Sequence, residues 1–285
     1  MGQERDRNMV VTTYEAEIEA WRAHMSESLR SETGWLTLVG LYWLHEGANT
    51  VGSDPSADVL LPENTPKGLG TIEFRDNTAT LHVNTDISVL VDSESVTTAV
   101  LRDDGDPRGA SRVEIGAILF TVIQRGDQYG VRVRDRNHPA RQRFTGRIWY
   151  PIDPNYRVRA IYIQHPEPRT LQIMSVAGVI TPITNPGYVE FALNGQHIRL
   201  EAFNEGGDDL WFVFRDANPQ VYRASRFMYA PITPDGSAIL DFNKAYNPPC
   251  AFTAYATCPL PLKENILSIS IEAGEKAPIS QEAQP

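Results

Sequence analysis

The pattern of apolar and polar positions changes period once along this chain. Near the N-terminus the apolar residues Tyr14, Ile18, Trp21, Met25 and Leu29 recur every three or four positions. That spacing predicts a helix with one apolar face. Thr12-x-x-Glu15 has the form of a capping box at its start, and Gly34 is placed where a C-terminal cap would end it. The apolar run Trp35-Leu-Thr-Leu-Val-Gly-Leu-Tyr-Trp-Leu44 follows. It is too short to span a bilayer and reads as a buried turn or strand.

From about residue 49 the period falls to two. Alternation predicts strands at 50–52, 58–61, 71–74, 79–83, 88–92, 96–100, 113–115 and 117–123. A second set is predicted at 129–134, 147–150, 156–163, 169–176, 187–193, 197–203, 210–215, 238–242 and 266–272. Asn194-Gly195, between two alternating runs, is a hairpin signal. Pro151, Pro154, Pro166, Pro168, Pro182 and Pro186 punctuate the second set and are expected at turns or edges. The predicted fold is mainly β. It comprises an N-terminal helix and connector over 1–48, a β-sandwich over 49–125, an antiparallel barrel-like domain over 126–277, closed or nearly so, and a disordered tail over 278–285.

Charge narrows the function. The 285 residues carry 26 basic and 36 acidic side chains, a net charge of −10, which argues against a general nucleic-acid partner. No run is long and apolar enough for a membrane, and the N-terminus lacks the apolar core of a signal peptide, so a cytoplasmic protein is expected. Against this acidic background residues 125–169 hold ten arginines and four acids, a local excess of six positive charges. Guanidinium forks suit carboxylate or phosphate recognition, although pairing with the acidic remainder would equally account for them.

The densest chemistry lies in Asp241-Phe-Asn-Lys-Ala-Tyr-Asn-Pro-Pro-Cys250, Cys258-Pro-Leu-Pro-Leu-Lys-Glu-Asn265 and Glu272-Ala-Gly-Glu-Lys276. Asp241, Glu264 and Tyr246 are the candidate catalytic groups. Arg226, Asp241, Asn243, Tyr246, Asn247, Cys250, Glu264, Asn265, Arg157 and Arg159 are the candidate ligand-binding set. A pocket of this kind would take a small, polar, anionic molecule, with hydrolysis as one open reading. The other reading is a heavily bonded structural corner, in which Asp and Asn satisfy buried backbone groups. No His follows His197, so a local zinc site is not expected, and no metal or cofactor is predicted. Cys250 and Cys258 read most simply as buried, inert thiols. Phosphate-loop, dinucleotide and nucleophile-elbow motifs are absent.

Two resemblances add to this. Asn49-Thr-Val-Gly-Ser-Asp-Pro-Ser-Ala-Asp-Val-Leu-Leu-Pro62, Gly70-Thr-Ile-Glu-Phe74, Val89-Leu-Val91 and Val113-x-Ile-Gly116 resemble a forkhead-associated domain. That family is an antiparallel sandwich that recognises phosphothreonine. Here Ser53 stands where the family has Arg, and Pro66-Lys-Gly-Leu-Gly70 replaces its Ser-x-x-His loop, so the phosphate donors are missing. The resemblance implies an altered surface, with a protein partner as the alternative function. Nearly the whole chain is also similar to the family catalogued as domain of unknown function 1684. The similarity rests on residues 34–44, Tyr129-Gly-Val-Arg-Val-Arg-Asp135, Phe144-x-Gly146, Tyr150-Pro-Ile-Asp153, Tyr222-x-Ala-x-Arg-Phe227 and the segments from Asp241 to Lys276. It implies kinship and no activity.

Overall fold

The computed structural model describes residues 2–84 and 86–279, with side chains in the first helix from Tyr14 onward. Helix α1 runs Gly2–Arg30. Thr12 therefore lies inside the helix and not at its start. Gly34 does not cap it either: its φ is −67° and it precedes a 3-10 turn at Trp35–Thr37. Ile18 and Leu29 are buried, and Tyr14, Trp21 and Met25 are partly buried, as the period required.

The chain divides into two compact units. One is Leu29–Thr145; the other joins α1 up to Ser28 with the residues from Gly146 onward.

The Leu29–Thr145 unit holds β1 (Leu38–Trp43), β2 (Gly47–Gly52), β3 (Val59–Leu60), β4 (Gly70–Arg75), β5 (Thr78–Val83), β6 (Leu90–Val91), β7 (Glu94–Ser95), β8 (Thr98–Leu101), β9 (Val113–Ile115), β10 (Ile118–Arg125) and β11 (Gln128–Asp135). They form two sheets, ordered β1-β11-β10-β9-β6-β7 and β3-β2-β4-β5-β8. The alternating apolar residues of both sheets meet in one core, with Val51, Ile72 and Leu81 from one and Val113, Phe120 and Val131 from the other. The hairpin β10–β11 groups residues after 125 with this unit. Asp76-Asn77 and Asp92-Ser93 take positive φ and close two-residue hairpins, the conformation Asp and Asn tolerate best. In the loop after β2 the Ser53 hydroxyl donates to the Thr65 carbonyl at 2.7 Å, and the Ser53 amide donates to the Pro66 carbonyl at 3.0 Å. That loop bonds to itself.

The second unit carries β12 (Arg157–Met174), β13 (Ile180–Leu193), β14 (Gln196–Asn204), β15 (Leu210–Phe214), β16 (Arg226–Ala230) and β17 (Ser237–Asp241). The sheet order is β16-β15-β14-β13-β12-β17. It curls into a half-barrel, in keeping with the antiparallel barrel-like domain expected. Asn194-Gly195 turns β13 into β14 with Leu193 opposite Gln196. Pro166, Pro168, Pro182 and Pro186 do not end strands. β12 and β13 run through them, and the register shifts between Gln164 and Arg169. A residue without an N–H fits a bulge, where the ladder is already interrupted. Two predicted strands are not strands: 147–150 makes one bridge, Trp149 to Glu275, and 266–272 makes one, Ile266 to Arg215. β16 was not predicted, because Arg226-Phe-Met-Tyr-Ala230 does not alternate between apolar and polar residues. No helix among the described residues is long and apolar enough to cross a membrane.

Candidate functional site

The residues singled out in the C-terminal segment do not converge on one pocket. They separate into four bonded groups within the second unit.

The first group surrounds Asp241, at the end of β17. Its carboxylate accepts the Tyr14 hydroxyl at 2.9 and 3.0 Å and the Asn243 amide N–H at 3.1 Å. The Asn243 side chain donates to the Asp153 carbonyl at 2.9 Å and accepts the Asp153 N–H at 3.0 Å. Arg157 stands 4.0 Å from Asp241 and lies over the Tyr14 ring, half exposed. Burial, then the Asp241 charge, pushes the Tyr14 phenol well above its ordinary range, so Tyr14 stays a donor. The carboxylate thus joins α1, β12 and the 3-10 turn Phe242–Lys244. Arg159 is displaced from this group. It is exposed and pairs with Asp235 and Ser237.

The second group is the ion pair of Arg226 and Asp216, both fully buried. Arg226 Nη1 donates to Asp216 Oδ2 at 2.8 Å and Nη2 to the Ala273 carbonyl. A side chain on Gly274 would collide with this guanidinium, and Gly274 also holds a φ of +77°. Glycine is therefore required there on two counts.

The third group is Glu275, Arg147 and Asn247. Arg147 Nη1 reaches Glu275 Oε2 at 2.6 Å, and the Asn247 N–H reaches the same oxygen at 2.7 Å. Burial raises the Glu275 pKa despite the adjacent guanidinium. Tyr246, beside Asn247 in the chain, packs edge-on against Trp21 and Phe227, and burial raises its pKa.

The fourth is Asn265, fully buried. Its Oδ1 accepts the Glu201 N–H at 2.8 Å, and its Nδ2 donates to the Glu201 and Val213 carbonyls at 2.9 and 3.0 Å. Its neighbour Glu264 is exposed on the turn Lys263–Asn265. The carboxylate pair Asp241 and Glu264 therefore does not share an enclosed site.

None of the candidate site residues named from the sequence lines a cavity of about 470 Å³ in the Leu29–Thr145 unit. It is lined by Arg30, Arg136, Asn137, His138, Arg141, Gln142 and Phe144. Arg141 donates from Nε to the Arg30 carbonyl at 2.9 Å and from Nη1 to the Arg136 carbonyl. Arg30 donates to the Phe144 carbonyl at 2.8 Å. His138 Nδ1 donates to the Leu36 carbonyl at 2.9 Å, which leaves Nε2 for another partner. Arg136 pairs with Glu114. Arg30 and Arg141 bond to carbonyls, and among the described residues neither is in an ion pair. Carbonyl acceptors orient a guanidinium without cancelling its charge. The legible signal was the arginine excess over residues 125–169. No cluster of metal-binding side chains occurs among the described residues.

Residues 142–276 match the family described as Protein of unknown function (DUF1684). The matched segment is a little under half of the chain. All four bonded groups centre on residues inside it, whereas most of the cavity lining lies before it. An uncharacterized protein of Haloarcula marismortui, known from a solution NMR structure, is 30% identical to the chain. That match covers 48% of this chain and 79% of the other, with a TM-score of 0.40. No curated protein matches the chain.

Proposed function

We propose that the protein binds a small polyanion, of the phosphate or polycarboxylate class, in the cavity lined by Arg30, Arg136, His138 and Arg141. The carrying observation is that Arg30 and Arg141 are fixed at this cavity by carbonyls, without a carboxylate partner among the described residues. A volume of about 470 Å³ falls in the range of small-molecule sites, roughly 300–1,000 Å³. Two guanidiniums at one cavity without carboxylate partners favour a ligand with more than one negative charge.

Calorimetric titration with inorganic phosphate, pyrophosphate and a tricarboxylate tests the reading. A charge-assisted hydrogen bond contributes about 1.5–3 kcal/mol, so Arg30→Gln and Arg141→Gln should each weaken binding about tenfold to a hundredfold. Arg143→Gln, two residues on from Arg141 and outside the lining, should leave it within twofold. No saturable binding by any of the three anions refutes the reading. So does equal loss in all three variants.

The alternative is a protein-interaction surface on the two-sheet unit. Its support is Val100, 63% exposed on the edge strand β8, where a partner strand could add. It predicts a partner whose capture survives Arg141→Gln and is lost in Val100→Lys.

A further inference from the structure

The two cysteines, read from residue type as buried and inert, lie side by side in the fold. The Cys250 N–H points at the Cys258 sulfur at 3.3 Å, so the two side chains adjoin. Neither is in a disulfide. Their environments differ in the way a two-step exchange needs. Cys250 is half-buried, in the 3-10 turn Pro249–Ala251, and Cys258 is buried. Their backbones are anchored on different elements. The Cys250 carbonyl accepts the Tyr222 hydroxyl at 3.0 Å. The Cys258 carbonyl accepts the Val176 N–H at 2.9 Å, and Ser175 bridges to Pro259. The segment between the cysteines is therefore held at both ends.

We propose that Cys250 and Cys258 form a reactive dithiol whose substrates are small disulfides. The Cys250 thiolate attacks one sulfur of a disulfide RS–SR. That S–S bond breaks, one RS⁻ leaves and is protonated by solvent, and a mixed disulfide remains on Cys250. Cys258 then loses its proton to solvent and attacks the Cys250 sulfur, expelling the second RS⁻. Two protein thiols are oxidised to one disulfide and the substrate is reduced to two thiols. The order follows from access, because a small disulfide reaches the half-buried sulfur first. The hydrogen bond from Cys258 lowers the Cys250 pKa and opposes the effect of burial, which favours the attacking form. Reduction of the bridge by excess thiol reverses the sequence.

The test uses the full chain in a series of reduced and oxidised glutathione, followed by alkylation and intact-mass measurement. With only two cysteines in the chain, an intramolecular bridge can join no other pair. Wild type should lose both alkylation sites together. Cys258→Ser should accumulate a glutathione adduct at Cys250, and Cys250→Ser should stay free at Cys258. Circular dichroism of the variants separates loss of chemistry from loss of fold. The proposal fails if wild type keeps both alkylated thiols at the most oxidising poise, or forms only intermolecular dimers. It also fails if the folded single variants take up glutathione equally, which would mean that opening of the fold exposes either sulfur.

Discussion

Replacing Asn265 with Ala should destabilise the fold by about 3–5 kcal/mol and leave anion binding unchanged. The reason lies in the sheet. β14 and β15 are joined at a single paired position, Phe203 with Trp211, so the ladder is open on either side. The Asn265 side chain closes the gap. It accepts from the Glu201 N–H and donates to the Glu201 and Val213 carbonyls, and it is fully buried. The Asn265 carbonyl continues the pattern by accepting the Arg215 N–H at 3.0 Å. Alanine would strand one backbone N–H and two carbonyls. Each such group costs about 1–3 kcal/mol when it stays dry, and partial relaxation or entry of a water keeps the sum near the lower end. Against a typical total of about 5–15 kcal/mol the loss is large. Urea denaturation followed by circular dichroism measures it, read as a shift in midpoint at constant slope. Asn265→Asp, which keeps the size and the acceptor but loses both donors, should be at least as damaging at neutral pH. A loss below about 1 kcal/mol in Asn265→Ala would refute the clip argument. Loss of anion binding in a stable, folded Asn265→Ala would instead restore the residue to a ligand site.

Two further outcomes follow from the buried networks. Arg226→Met should cost about 3–5 kcal/mol, because it leaves the Asp216 carboxylate buried without its counter-ion, and Arg226→Lys should rescue it only in part, since one ammonium cannot reproduce a fork that serves both Asp216 and the Ala273 carbonyl; chemical denaturation checks both. Tyr14 has a folded pKa raised above its ordinary value of 10.0, so its contribution is complete below about pH 10 and is lost as pH climbs through the raised folded value. Denaturation midpoints should therefore fall more steeply above about pH 10 in wild type than in Tyr14→Phe, and parallel curves would contradict this.

Much of the local structure was legible in the chain. Asn194-Gly195 specified its hairpin because the first residue tolerates, and the second favours, positive φ. Alternation in residues such as 78–83 gave both the strand and its inward face. The run 266–272 shows the limit of the same signal. Leu267, Ile269 and Ile271 are buried at every second position, so the inward face was legible although the chain bends at 268–269. Pairing was not readable, since a ladder needs a neighbour with free donors and acceptors, and β15 offers only isolated contacts there. β16 escaped detection because Arg226-Phe-Met-Tyr-Ala230 carries no alternation of apolar and polar residues. The prolines of β12 and β13 suggested turns or edges; the long hairpin holds Pro166, Pro168 and Pro186 where the register shifts and Pro182 in register opposite Gln172.

Sequence alone also identified a polar C-terminal segment that is expensive to bury. It could not assign partners within it. Asp241 meets Tyr14, 227 positions away, and Asn265 meets Glu201, 64 positions away. Hydrogen bonds and ion pairs act over a few ångströms, so residue type announces the capacity to form them and only the folded chain selects the partner. The same holds for the arginines. Composition revealed an excess of positive charge, and tertiary structure decided which guanidiniums were neutralised by carboxylates and which were left charged at a cavity.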